Sequence, residues 1–236
     1  MAGELSGGLD EGRWLPPADV DTLLAPYGIR TTGRTAATAT AVADCAAALG
    51  FPVAMKVADP EVVHKTERGL VRVGLRTRGE VRETFAAFAA EMGHAPQVLM
   101  QPMLTGVEVA LGLVRDPSLG PLVMVAAGGV ATDVWSDRAF LVPPFSRVDA
   151  ERAIRSLRIW PLLDGFRGAP RADVAGLEEL VVALGMLAVD VPEVAELDLN
   201  PLLVSSDGVA VVDVKLRVAP PVGPDPTAPR QLRPVP

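Results

Sequence analysis

Apolar residues recur along this chain with two periods, and the switches between them predict where helices give way to strands. Residues 17–29 read as a short helix that stops at Tyr27-Gly28, with Asp19 as its N-cap. An alanine-rich helix over 38–49 ends at Gly50, and a third over 78–92 sets Val81, Phe85, Phe88 and Ala89 at helical spacing. Strands are predicted near Val53, Val71 and Val98, completing a small α+β lobe. Further strands near Val109 and Val123, helices over 149–157 and 173–189, and a terminal hairpin make a larger α+β lobe. The implied organisation is a smaller lobe over 34–100 and a larger lobe built from 14–33 and 101–218. A disordered segment over 1–13 and a proline-rich tail over 219–236 flank them. No internal repeat is visible.

The terminal hairpin carries the densest chemistry. Asp198 and Asn200 stand two apart in an apolar run, so a strand puts both on one face and Leu197 and Leu199 on the other. Ser205-Ser206-Asp207-Gly208 reads as a turn. With those four residues as the loop, Val204 sits opposite Val209, Asn200 opposite Asp213, and Asp198 opposite Lys215. Two acids, an amide and an amine then share one face. Magnesium-like cations take such oxygen donors together with a substrate's phosphates. The same alternation equally fits a hairpin whose polar face meets water.

Earlier segments supply what a nucleotide needs. Lys56 stands near the end of the apolar run from Val53 to Val57, where an ammonium is costly unless it meets an anion or snorkels to the surface. The polar loop from Asp59 to Gly69 sets His64, Lys65 and Thr66 side by side, and histidine can act as acid, base or nucleophile. An ordinary charged surface loop has the same composition. A strand near Val98 ends in Gln101, Pro102 and Met103, whose backbone groups are placed to meet an adenine edge. Glu108 is the one acid of the next alternating run, a candidate to face ribose or metal.

In this order the motifs resemble the ATP-grasp domain of the ADP-forming acyl-CoA synthetases, relatives of the nucleotide-binding subunit of succinyl-CoA synthetase. The resemblance covers about 15–218. It rests on Lys56 in its strand, Val63-His64-Lys65-Thr66-Glu67, the segment at 99–103, Gly106-Val107-Glu108-Val109 and Arg115-Asp116-Pro117. Gly128-Gly129-Val130, residues 161–168, and 196–204 with Asp213 complete it. It implies an α+β ATP-grasp fold with ATP or ADP between two lobes. Lys56 would contact the phosphates, Gln101, Pro102 and Met103 the adenine, and Glu108 the ribose and phosphates. Asn200 and Asp213 would hold Mg2+ with Asp198 in support, and His64 would relay a phosphoryl group. The implied activity is that of an acid–CoA ligase (ADP-forming), in which acyl-CoA, phosphate and ADP interconvert with acid, CoA and ATP through acyl phosphate and phosphohistidine. This chain would run the nucleotide half, beside a CoA-binding subunit or fused CoA-binding domain. A non-catalytic regulatory remnant and a carboxylate–amine ligase are the alternatives the fold allows.

Three positions depart from the family pattern. Leu70 stands where a second glycine usually follows the His-Lys-Thr-Glu loop, and leucine does not readily adopt positive φ, which implies an impaired loop. Ala126 replaces a common glycine and Asp133 a common glutamate around Gly128-Gly129.

Composition narrows the partners. Half of the 236 residues (49%) are hydrophobic, ample for a core. A net charge of -7 argues against nucleic acid, though not against ATP, whose binding is decided locally. Cys45 is the only cysteine, so no intrachain disulfide forms and a cytoplasmic location is expected. No apolar run has the length of a membrane span. Trp14 reads as a packing anchor, His94 as a surface residue, and Glu151, Arg152, Arg155 and Arg158 as a solvated helix face. The loop around Asp164 and Arg167 reads either as a partner contact or as a segment braced by an Asp–Arg pair.

Overall fold

The computed structural model describes residues 12–59, 62, 65–116, 119–129 and 137–221. In chain order these form β1 (Arg13–Trp14), α1 (Pro17–Leu24), β2 (Arg34–Ala36), α2 (Ala39–Leu49), β3 (Val53–Val57), β4 (Val71–Leu75), α3 (Arg78–Met92) and β5 (Val98–Pro102). Then follow β6 (Val107–Asp116), β7 (Gly120–Ala127), β8 (Arg138–Leu141), α4 (Arg147–Ser156), α5 (Trp160–Leu163), α6 (Val174–Asp190), β9 (Val194–Ser205), β10 (Gly208–Val211) and β11 (Val214–Val218).

Two antiparallel sheets organise the chain. The smaller has the order β2-β5-β3-β4; the larger runs β1-β11-β9-β6-β7-β8, with β10 also paired to β9. Strand alternation gives each sheet one apolar face. On β3, Val53, Met55 and Val57 are buried among Val42, Ala46, Val81, Phe85 and Phe88 of α2 and α3. On the larger sheet, Val109, Leu111, Leu113, Leu197 and Leu199 pack with Leu177, Val181 and Leu184 of α6 and Ile154 of α4. Helix starts are capped locally: Thr38, Thr77 and Asp173 each accept an N–H from the first turn, and Ser146 with Asp149 forms a capping box.

Several sequence expectations need correction. Asp19 lies within the first turn of α1, whose N-cap is Pro16 and whose first helical residue, Pro17, has its φ already fixed for a helix. Residues 1–11 lie outside the described residues, but Arg13, expected in a disordered segment, pairs with Val218 in β1. Trp14, expected to anchor packing, sits on that edge strand with 37% exposure. The turn of the terminal hairpin is two residues, because Ser205 and Gly208 already pair. Asp164 pairs with Arg171, while the guanidinium of Arg167 lies over the Phe166 ring. The edge strands β2 and β8 were not predicted. Both are short, and short edges leave little alternation to read.

Leu70 carries none of the expected strain. Gly69 takes the positive φ (68°), and Arg167 is the only non-glycine with positive φ among the described residues. Leu70 instead fills the core of the smaller sheet, fully buried. Ala126 is likewise accommodated, buried in β7 opposite Ala110. Asp133 lies outside the described residues, as does much of the tail.

Candidate nucleotide and cation site

The site begins with a proline. β9 pairs first with β10 and then with β11, and the junction between those two strands is Val212-Asp213. Val212 donates its N–H to the carbonyl of Pro201 (3.1 Å), but Pro201 has no N–H to return. The Val212 carbonyl is thus left out of the ladder. Two side chains of the smaller sheet take it up: Lys56 Nζ donates to it at 3.3 Å and Gln101 Nε2 at 2.7 Å. Gln101, buried, also donates to the carbonyl of Thr32 at 2.6 Å. Thr32 in turn donates its N–H and its hydroxyl to Val211, both at 2.8 Å. A polar knot therefore ties β5 and β3 to the β10–β11 junction.

Lys56 completes this joint through an ion pair, Nζ to Asp213 Oδ1 at 2.7 Å. The lysine points from the face of β3 opposite its core, and Asp213 sits where the ladder breaks. Asn200 lies beside it, donating its backbone N–H to the Asp213 carbonyl at 3.2 Å. Asp198 faces Lys215 across the β9–β11 ladder, in the register expected from the turn. Burial raises the pKa of Asp198, with the Asp213 and Glu196 carboxylates pushing the same way and the Lys215 ammonium opposing. Lys56 and Asp213 border a cavity of about 320 Å³, also lined by Lys65, Arg34, Asp21 and Leu99, within the size range of small-molecule sites.

The donor set suits a hard cation that keeps part of its shell for other ligands. Among the described residues no three His, Cys, Asp or Glu side chains converge, so no all-protein cage exists. One carboxylate, one amide oxygen and a nearby second acid match what magnesium takes alongside water and phosphates.

The remaining sequence candidates fall in different places. Glu108 is exposed at the start of β6, opposite Leu203 on β9. Its carbonyl accepts the N–H of Gly128 at 2.9 Å, and a β-carbon on Gly129 would overlap its carboxylate. The exposed Glu108 side chain can swing aside, so Gly129 is required by its φ of 62°, and Gly128 because a β-carbon there would lie 2.7–2.8 Å from the Glu108 and Val109 backbone. Pro102 and Met103 follow Gln101, but the Met103 N–H is given to the Pro52 carbonyl at 3.2 Å. Gln101 itself serves as an interlobe tether. His64 lies outside the described residues. Lys65, expected within the His-Lys-Thr motif but with no ligand role of its own, lines the same cavity as Lys56. Pro201, directly after Asn200, is the signal for a Val212 carbonyl left out of the ladder.

A family model described as an ATP-grasp domain matches residues 9–218. The beta subunit of acetate–CoA ligase [ADP-forming] I from Pyrococcus furiosus is 33% identical over 175 residues, covering 71% of this chain and 75% of that protein. Acetate–CoA ligase [ADP-forming] I from Archaeoglobus fulgidus is 35% identical over 199 residues, covering 82% of this chain but only 28% of that one. The chain thus spans most of a beta subunit and under a third of a longer ligase. The crystal structure of acetyl-coenzyme A synthetase 1 from Candidatus Korarchaeum cryptofilum, in complex with coenzyme A and Mg-AMPPCP, superposes with a TM-score of 0.76 at 33% identity. That match covers 87% of this chain and 92% of the other, and the phosphohistidine segment there points towards the nucleotide-binding site. Among the described residues no helix is long and apolar enough to cross a membrane.

Proposed function

This chain belongs to the ATP-grasp family, as the beta-subunit-like nucleotide-binding domain of the ADP-forming acyl-CoA ligases, and on that premise we propose that it binds magnesium–ADP or magnesium–ATP between its two sheets. Lys56 engages the phosphates. Asn200 and Asp213, supported by Asp198, hold the cation. Gln101 fixes the strand whose end, at Pro102 and Met103, faces the adenine, and Glu108 lies toward the ribose and phosphates. His64 carries the phosphoryl group between nucleotide and the acyl-CoA chemistry, which a CoA-binding subunit or fused domain supplies. The overall reaction interconverts acyl-CoA, phosphate and ADP with acid, CoA and ATP.

Phosphoryl transfer asks the protein mainly for positioning and charge neutralisation. Magnesium, held by Asn200 and Asp213, would supply positive charge against the phosphates. The chain's own groups act by exchange of partners. The Lys56 ammonium and the Asp213 carboxylate, paired at 2.7 Å, separate so that the amine meets phosphate and the acid meets the cation. With side-chain exposures of 18% and 41%, that pair is partly solvated, which leaves it open to exchange with a ligand's groups. Val212's carbonyl holds Lys56 close to the site during the exchange. The pairing of Lys56 with Asp213 on the wall of the cavity is the observation that carries this reading. Neither Leu70 nor Ala126 supports the non-catalytic alternative, since both are packed without strain.

Isothermal titration with magnesium–ADP tests the proposal. Saturable binding is expected, with Lys56→Ala and Asp213→Ala each weakening it by at least about tenfold, as loss of a charge-assisted contact does. Absence of heat at two temperatures, together with no displacement of a labelled nucleotide, would reject it.

A further inference from the structure

We propose that Lys65 is a second polyphosphate ligand of this site, binding the terminal phosphates of the nucleotide while Lys56 exchanges with Asp213. The inference rests on the nucleotide reading above and adds a residue to it.

The backbone first holds Lys65 in place. Residues 65–69 form a turn in which Gly69 donates to the Thr66 carbonyl at 3.1 Å and Leu70 to the Lys65 carbonyl at 2.8 Å. Leu70 is sealed in the core of the smaller sheet, and its own carbonyl accepts from Val57 at 3.1 Å. The leucine that departs from the family pattern therefore anchors the turn to the end of β3, one residue beyond Lys56. A lysine on a loose surface loop would trail into water, but this one is half-buried and lines the cavity.

The surroundings then leave its charge unanswered. Lys56 has a carboxylate at 2.7 Å and a carbonyl at 3.3 Å, whereas no hydrogen bond or ion pair engages the Lys65 ammonium among the described residues. Asp213 and Asp59 attract it from a distance, and Lys56 and Lys215 repel it. Burial, the largest influence, pushes its pKa down. A cation withdrawn from water without a partner is unfavourable unless an anion completes it. Three lysines around Asp213 would make the cavity strongly anion-attracting once that carboxylate turns to a cation.

The test uses the full chain and its Lys65→Met and Lys65→Arg variants, titrated with magnesium complexes of ADP, ATP and AMP and with inorganic phosphate. Lys65→Met should weaken ADP and ATP by about 10- to 100-fold and AMP by no more than about threefold, the size of a lost charge-assisted hydrogen bond. Lys65→Arg should restore most of the loss. Thermal melting of Lys65→Met should not fall, because methionine removes a desolvated charge. Equal losses for AMP and ADP, or unchanged ADP affinity, would overturn the proposal. Loss of inorganic phosphate binding alone would also overturn it, assigning the residue to free phosphate. A wild-type chain that binds none of these nucleotides would instead remove the nucleotide reading beneath it.

Discussion

The two sheets are each held together by oil and joined to one another by polar contacts. Within the larger sheet, Leu111, Leu197 and Leu199 bury against α4 and α6; within the smaller, Val53 and Met55 bury against α2 and α3. These form two separate apolar clusters among the described residues. Across the joint stand Lys56, Gln101, Thr32, Val212 and Asp213, linked by hydrogen bonds and an ion pair. Apolar packing is dense and non-directional, so it tolerates little rearrangement. Polar contacts that face a cavity can trade partners for a ligand's groups. The contrast teaches that this molecule is rigid within its lobes and exchangeable between them, which is where a phosphate and a cation would enter.

That contrast can be broken most directly through a core. Phe88→Ala in the smaller sheet should cost about 3–5 kcal/mol of local stability. Amide hydrogen exchange should then quicken in β3, β4 and β5 while β6 and β9 keep their protection. Equal loss in both sheets would show one cooperative core rather than two. Gln101→Leu comes next: it leaves the Thr32 carbonyl without its side-chain donor and the Val212 carbonyl with Lys56 alone, and should cost about 1–3 kcal/mol in urea denaturation. Its nucleotide affinity should fall with it, since the joint sets the cavity wall; unchanged affinity would uncouple the tether from the site.

The smallest effect sharpens the larger lobe's edge. The Tyr27 hydroxyl donates to Asp190 at 3.3 Å, and burial first, then the Asp190 charge and hydrogen bond, raise its pKa above 10.0. Because the folded state holds that proton more tightly than the unfolded chain, the contribution is complete below pH 10.0 and is lost as the pH climbs toward the raised value. Tyr27→Phe should therefore narrow the stability difference measured on the two sides of pH 10.0, by a few tenths of a kcal/mol or about that, given how exposed the pair is. An identical alkaline loss in the variant would remove Tyr27 from the account.

Much of this arrangement was legible along the chain. Arg78 to Met92 was read to the residue, because Thr77 caps one end, Gly93 closes the other, and Val81, Phe85 and Phe88 keep helical spacing between them. The pairing of Asp198 with Lys215 and of Val204 with Val209 followed from a turn and a period of two. Asp19 misled because a proline one turn earlier had already set the helix start. Leu70 misled because glycine's role was carried by its neighbour, Gly69. Gln101 was placed near the site correctly, but nothing in its own segment shows that its amide would be spent on Thr32 and Val212.

The chain alone determined which side of each strand is apolar and which carries chemistry, since alternation and turns act over a few residues. It also determined that Pro201 would withhold a ladder donor, a property of one residue type. Only the packing of one sheet against the other decided that Lys56 would reach Val212, 156 residues away, and meet Asp213 there. Such a meeting depends on how two separately packed cores settle together, and no local pattern carries that distance.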